Sequence, residues 1–585
     1  MTVTRASRIL SVIIAIGLVL ICGCNAIPQP PKQSITQAQS KERVATSTSA
    51  SAGTSISAGG IDDSVNRNYA QPILKTGTAP PLSSDVLTYH NDNARTGQNL
   101  HESILTRSNV NSTSFGKLFV IPVDGKVDVQ PLVASTVDLP NNGTHNVLVV
   151  ATEHDTVYAF DADSGAKLWQ VSMLKAGETT SEPRFGCTQV SPEIGVTATP
   201  VIDRSAGPNG TIYIVAMSKN AAGTYFQRLH ALNLATGAEQ FGGPQDVHAT
   251  FPGKGDNSSN GSVIFDPGAY KERPGLLLLN GVVYTSWSSH CDIRPYTGWI
   301  MGYNQNTLAQ VNVINITPNA IEASFWNSGA ALAADASGNI YQLAANGTFD
   351  STLNANGFPA QGDFGNAFLK FSTANNQLTV ADYFALVNTA AESDSDTDLG
   401  SGGAMLLPDL TDASGTVKHL AVGAGKDGNI YVVDRDNMGK FNPSSNNIYQ
   451  QLTNAIGSEF GMAAYFNNTV FYGGVSDHLK AFSITNATLA LSSQSAVIFG
   501  YPGTTPSVSA NGTTNGIIWA AENSDPAVLH AYDASNLATE LYNSNQAANS
   551  RDRFGTGNKF IVPTVVNGKV YVGTTNGVGV FGLLH

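Results

Sequence analysis

Three aspartates, Asp394, Asp396 and Asp398, alternate within AESDSDTDLGSGG and are followed by glycine-rich chain. Carboxylates on alternate residues can gather around a hard cation, which makes calcium one expectation for this loop. The segment has no glutamate at the twelfth position, so it is not a helix-loop-helix calcium site, and a solvated acidic loop is the simpler expectation. A second polar set lies in RFGCTQVSPEIGVTATP, residues 184–200, and in SWSSHCDIRPYTGW, residues 286–299. These two loops hold Cys187 and Cys291, the only cysteines beyond the leader region. In an oxidising compartment they form a disulfide if both loops project onto one face; otherwise they remain separate thiols. Glu193, His290 and Asp292 from these loops, with Arg95 from DVLTYHNDNARTGQN, are candidates for a ligand-binding channel mouth or for internal loop hydrogen bonds. Lys426 and Asp427 in GAGKDGNIYVVDRDNMGKF belong either to that mouth or to hairpin corners. No nucleophile and base stand at a recognisable spacing, so hydrolysis or lyase chemistry has no support.

These residues need a scaffold, and Leu148 to Trp169 supplies its unit. LVVATEHDTVYAFDADSGAKLW is two short alternating strands around His154-Asp155, then a Ser-Gly corner and a tryptophan. The first strand recurs around Tyr213, Tyr284, Tyr341, Ala421, Phe471, Trp519 and Tyr571, making eight copies with Val149. Copies are roughly 48 to 80 residues apart, so some units carry long loops. No helical period competes. The expected fold is all-β: an eight-bladed β-propeller of four-stranded antiparallel sheets, which buries such units while leaving few edges. The strand beginning at Lys117 lies outside the repeats, and the last copy has no outer strand of its own. It is therefore expected to complete the final sheet. Asn280-Gly281, Asp427-Gly428, Asn567-Gly568 and Asn576-Gly577 are hairpin-turn pairs.

A net charge of -13 leaves no basic stripe to release counterions from a polyanion, so nucleic acid is excluded as a partner. At the start, Arg5 and Arg8 precede the thirteen-residue apolar run Ile9 to Ile21 and then Ile21-Cys22-Gly23-Cys24. The run is too short to span a bilayer and fits a signal peptide. The small residues before Cys24 resemble a bacterial lipoprotein cleavage box, which implies lipidation of Cys24 and attachment to a membrane through acyl chains. Residues 1–23 are thus expected to be a leader and 24–84 a Ser/Thr/Ala-rich tether with too little apolar content to fold. Residues 85–585 form the folded domain.

The tail Ala159-x-Asp161-x-x-Ser164-Gly165-x-x-x-Trp169 resembles the tryptophan-docking repeat of the pyrroloquinoline quinone (PQQ) propellers, the quinoprotein dehydrogenases. The resemblance implies that Ala159, Asp161, Gly165 and Trp169 dock one blade on the next. Weaker versions at Ala231, Gly302, Ala481 and Ala531 lack the tryptophan. HNDNARTGQN, PEIGVTATPVID, SHCDIRPYTGW, DLGSGG and GKDGNIYVVDRDNMG also look like an exported bacterial group of PQQ-repeat proteins. The catalytic pattern of the dehydrogenases does not carry over. No adjacent cysteine pair and no Cys-x-x-Cys-His is present, and the calcium ligands and catalytic aspartate match no motif. The expected function is therefore a membrane-tethered, extracytoplasmic binding or scaffold module for a protein partner or an extracellular ligand. In layout it resembles the propeller lipoprotein of the outer-membrane assembly machine. A PQQ- and calcium-dependent oxidoreductase of alcohols or sugars is the alternative.

Overall fold

The structure is a computed structural model that describes residues 85–182 and 186–584. The expected leader, the tether and Cys24 lie outside the described residues. Regular structure is almost entirely strand, in sheets that are mostly of four antiparallel strands. Among the described residues eight sheets have four or five strands. Sheet 1 comprises Leu132–Leu139, Gly143–Ala151, Thr156–Asp161 and Lys167–Ser172. Sheets 2 to 7 follow in chain order within 178–246, 270–315, 333–385, 405–452, 464–499 and 507–543. Sheet 8 joins Thr564–Val566, Lys569–Gly573 and Gly577–Leu583 to the early strand Phe115–Pro122, which pairs antiparallel with Gly577–Leu583. The eight recurring strand motifs each form an inner strand of one sheet, because near-continuous apolar and small residues suit a position covered on both faces.

Apolar side chains between sheets hold the array together. Tyr213 and Leu229 of sheet 2 meet Trp287 and Trp299 of sheet 3, and Tyr341 of sheet 4 meets Tyr431 of sheet 5. Trp519 of sheet 7 shares a cluster with Val570 and Phe581 of sheet 8, and Tyr571 and Val578 of sheet 8 share one with Val147 and Val149 of sheet 1. Trp287, Trp299 and Trp519 are fully buried. Each removes about 150–250 Å² from water, a gross contribution of roughly 4–6 kcal/mol before entropy is subtracted.

The segment before the first long strand has no periodicity, yet it touches every sheet. Val86 exchanges backbone hydrogen bonds with Val133 of sheet 1, and the Leu87 carbonyl accepts from Ile202 of sheet 2. Asn93 donates through Nδ2 to the Leu278 carbonyl of sheet 3 at 3.0 Å, and its own carbonyl accepts from Ala334 of sheet 4. The carbonyls of Ala94, Thr96 and Gly97 accept from Leu406, Tyr465 and Val508 of sheets 5, 6 and 7. Asn99 closes the series by donating to Val565 of sheet 8 at 2.9 Å. Every partner lies on a strand that pairs with the recurring motif strand of its sheet. His90 braces the turn, with Nδ1 2.9 Å from the Arg95 carbonyl and Nε2 3.0 Å from that of Pro506. A Cβ on Gly97, whose φ is +68°, would stand 2.6 Å from the His90 ring, so only glycine fits there.

Candidate functional site

The loops that enter and join the first strands bring ionic and aromatic side chains together from all eight sheets. Asp128 precedes sheet 1, Glu153 lies in its second hairpin, and Thr197 precedes the strand Val201–Asp203 of sheet 2. Glu153 Oε2 accepts from the Gly195 amide and from Thr197 Oγ1, both at 2.9 Å. Burial raises the Glu153 pKa well above the usual carboxylate range, and the adjacent charge of Asp128 raises it further. Burial acts the same way on Asp128, but Arg273, a hydrogen bond with Glu153 and Lys126 outweigh it and hold Asp128 ionised. Burial and the neighbouring charge thus disfavour ionisation of Glu153, while its cations favour that of Asp128.

Arg273, from the chain entering sheet 3, stands 3.8 Å from Asp128 and 4.9 Å from the centroid of the Phe560 ring. Lys559 lies 5.7 Å from that centroid on the loop entering sheet 8. Asn558 donates to Asp128 and to the Val127 carbonyl. Phe560 meets Trp326, which precedes sheet 4, at 6.4 Å, and Trp326 meets Phe460, which precedes sheet 6, at 5.8 Å. Phe460 meets the exposed Tyr501, before sheet 7, at 5.5 Å. A small cavity lined by Phe460, Thr504, Asn523, Asn558 and Phe560 opens among them. The site lies over the N-terminal segment, since Tyr89 is within electrostatic reach of both Arg273 and Glu459. Glu459 is buried with neither carboxylate oxygen hydrogen-bonded, and burial pushes its pKa up to about 8.

The residues expected from sequence divide around this site. Cys187 and Cys291 form a disulfide with Cα atoms 5.7 Å apart, tying the loop of Glu193 to the loop of His290 and Asp292. Glu193 accepts from Thr180 Oγ1 at 2.7 Å and pairs with His154 Nδ1 at 3.0 Å. His290 is buried. Asp292 is exposed, accepts from Ser289 and Tyr296, and acts electrostatically on Lys271 and Asp398. Arg95 is not at the mouth. It is wholly buried in the N-terminal segment, donating to the carbonyls of Leu332, Tyr89 and Asp92 and to Thr88 Oγ1.

The acidic loop also differs from expectation. It opens with a short helix, Thr389–Asp394, and Asp394 is exposed. Asp398 is buried rather than solvated, accepting from the Asn346 amide at 2.7 Å. The Lys426 ammonium stands 2.7 Å from Asp396 and 2.6 Å from Asp398, so an internal cation takes the place expected for a metal. Lys426 also lies 5.7 Å from the Trp326 ring centroid, which puts it on the site. Its neighbour Asp427 accepts from Asn429 and Tyr431 within its own hairpin. In the docking tail, Trp169 Nε1 donates to the Leu234 carbonyl of sheet 2 at 3.1 Å, and a Cβ on Gly237 would meet the Trp169 ring at 2.7 Å. Asp161 caps the corner by accepting from Ser164 and His145, Gly165 takes φ +74° there, and Ala159 is buried opposite Trp169.

No family model matches this sequence, and no curated protein matches it. Solved structures do. The quinohemoprotein alcohol dehydrogenase of Comamonas testosteroni aligns over 85% of this chain and 80% of its own, with 14% identity and a TM-score of 0.53. Quinohemoprotein alcohol dehydrogenase ADHIIG of Pseudomonas putida HK5 aligns over 86% and 80%, with 12% identity and a TM-score of 0.55. A europium-containing methanol dehydrogenase aligns over 85% and 98%, with 14% identity and a TM-score of 0.52. At these identities the likeness is one of fold: a quinoprotein-like β-propeller.

Proposed function

We propose that this chain is an exported, lipid-anchored binding module: a ring of eight blades, closed by Phe115–Pro122, that takes a ligand or a protein partner at one mouth. The N-terminal segment carries this reading, because it bonds to every sheet, each time at the strand beside the recurring motif, and so would fill the middle of such a ring. Access then falls to the side where Glu153, Arg273, Trp326, Lys426, Phe460 and Phe560 gather. Cys24 would hold the module at a membrane and residues 24–84 would set its distance from it. A lipid anchor predicts that Cys24→Ala moves the protein from the membrane to the soluble fraction; retention in the membrane would refute it.

A quinoprotein oxidoreductase is the second reading, favoured by the aromatic faces of Trp326 and Phe560 beside Arg273 and Lys559. A planar polycarboxylate such as PQQ fits that combination, and bound PQQ supplies a two-electron acceptor for alcohol or sugar oxidation. Calcium fits less well. Lys426 already neutralises Asp396 and Asp398, and cations flank Asp128 and Glu153. Titration of the protein with PQQ, with and without calcium, separates the readings by absorbance, melting temperature and dye-linked oxidation. Saturable PQQ binding with turnover overturns the binding-module reading; absence of both sustains it.

A further inference from the structure

Most buried or half-buried cations in this protein are spoken for. Arg228, Lys426 and Lys480 each sit within 2.7 Å of a carboxylate oxygen. Four cations at the mouth are not. Arg273 is buried, its Nη1 has no hydrogen-bond partner among the described residues, and the nearest carboxylate oxygen is 3.8 Å away on Asp128. Lys271 is buried and gives its ammonium only to the Ser289 carbonyl at 2.5 Å. Lys559 contacts the Phe560 ring and no acceptor, and half-buried Lys126 has no side-chain partner among the described residues. Arg273 acts electrostatically on both Lys271 and Lys559, Lys126 on Lys559, and Asp128 feels both Arg273 and Lys126. The four therefore form one cluster.

Burying like charges with idle donors is costly unless something neutralises them. Asp128 supplies one negative charge, burial and Asp128 disfavour the ionised form of Glu153, and Asp292 is exposed. The cluster is thus a positive island in a chain of net charge -13. Its donors also suit one ligand type: a guanidinium fork braced over an aromatic ring, with ammonium groups beside it, matches the several oxygens of an oxyanion.

We propose that the mouth captures a small multivalent oxyanion, phosphate-like or polycarboxylate, held by Arg273, Lys271 and Lys559. This rests on the mouth being the binding face and names its ligand chemistry. Binding draws in protons. Burial, helped by Arg273 and Lys559 and opposed by Asp292 and Glu153, lowers the Lys271 pKa to about 7. Lys559 is lowered by burial and then by Arg273 and Lys126, against Asp128. A bound anion restores the charged form of both lysines, so affinity rises as pH falls through about 7.

The test is calorimetric titration of the full protein with sulfate, inorganic phosphate and citrate at constant ionic strength, with chloride as control. Sulfate stays divalent from pH 6 to 8, so its pH series reports the protein alone. Saturable binding is expected for at least one probe, with sulfate several-fold tighter at pH 6 than at pH 8 and net proton uptake seen between buffers of different ionisation enthalpy. Arg273→Gln and Lys559→Gln should each weaken binding at least tenfold, and Lys167→Gln on a distant corner should not. Among the described residues Lys559 makes no hydrogen bond through its side chain, so K559Q keeps the test decisive should R273Q fail to fold. Heats no larger than those of chloride for all three probes, or unchanged affinity in K559Q, overturn the oxyanion site. Capture of a neutral ligand or a protein by the same mouth would then leave the binding-module reading standing.

Discussion

Arg228 and Arg273 are buried to the same degree, with side chains 4% and 5% exposed, and they live in opposite surroundings. Arg228 grips both oxygens of Glu178 at 2.7 Å, Asp246 at 2.6 Å and Ser218 at 3.1 Å. These groups belong to neighbouring strands of sheet 2, so the arginine binds that sheet to itself. Arg273 stands among Lys271, Lys559 and a lone carboxylate, over an aromatic ring. A guanidinium saturated by its own fold has no capacity left for a ligand, whereas one held rigidly with idle donors has nearly all of it. Donor saturation, not residue type or burial, separates structural from functional cations in this molecule.

Removing each arginine is the strongest way to break that comparison. Arg228→Ala strands the buried Glu178 carboxylate, and we expect a loss of about 3–5 kcal/mol in urea unfolding. Arg273→Met keeps the contact with Phe560 and leaves Asp128 to Asn558 and Lys126, and because the lost pair is long, 3.8 Å against 2.7 Å for Arg228, the expected cost is only about 1–2 kcal/mol. If R273M costs as much as R228A, Arg273 is structural and the distinction collapses.

The repeats were legible because alternation of apolar residues has only one consequence, a strand covered by neighbours, and Tyr213, Trp519 and Tyr571 all meet it. The Ser-Gly corner before Trp169 was legible because its turn chemistry is local. The mouth was not. Arg273, Trp326, Glu459 and Lys559 each stand alone in a short connecting loop, far apart in the chain, and only the stacking of successive sheets brings them together. Arg95 misled for the same reason: an arginine in a polar, glycine-containing stretch looks exposed until distant carbonyls such as that of Leu332 close over it. The alternating aspartates looked like a metal loop because nothing near them in sequence reveals Lys426 facing them from the next hairpin.

Protonation offers a second, smaller contrast between the two regions. Burial opposes ionisation of Glu178, but its bonds from Arg228 and Ser218 outweigh it and lower the pKa to about 2, below the unfolded value near 4.5. The unfolded chain then binds the proton first, so this contribution is present above about pH 4.5 and is lost as pH falls toward 2. Glu459 has the opposite sign. Its folded pKa of about 8 means the folded chain keeps a proton that the unfolded chain releases, so stability declines as pH rises from about 4.5 to 8. Unfolding measured across pH 5 to 8 should therefore decline less steeply in Glu459→Gln than in the wild type, with E459Q gaining most at pH 8. A slope unchanged by E459Q would mean that this carboxyl has a partner in solution.

Lys426 lies between the two extremes, which makes it the finest probe of donor saturation. It is partnered, by Asp396 and Asp398, yet it sits against Trp326 on the site itself. Lys426→Met leaves Asp398 buried without its cation. Burial already holds the Asp398 pKa near 6 despite Lys426, and loss of the lysine raises it further, so the carboxyl can protonate rather than remain a stranded charge. The expected cost is about 1–2 kcal/mol at pH 7, less than for R228A, and smaller still at pH 5. The same variant frees the two aspartates for a divalent ion. Millimolar calcium should then raise the melting temperature of K426M by a few degrees and leave the wild type unmoved. Equal calcium shifts in both proteins would mean that Lys426 does not stand in for a metal and that saturation fails as a guide at this rim.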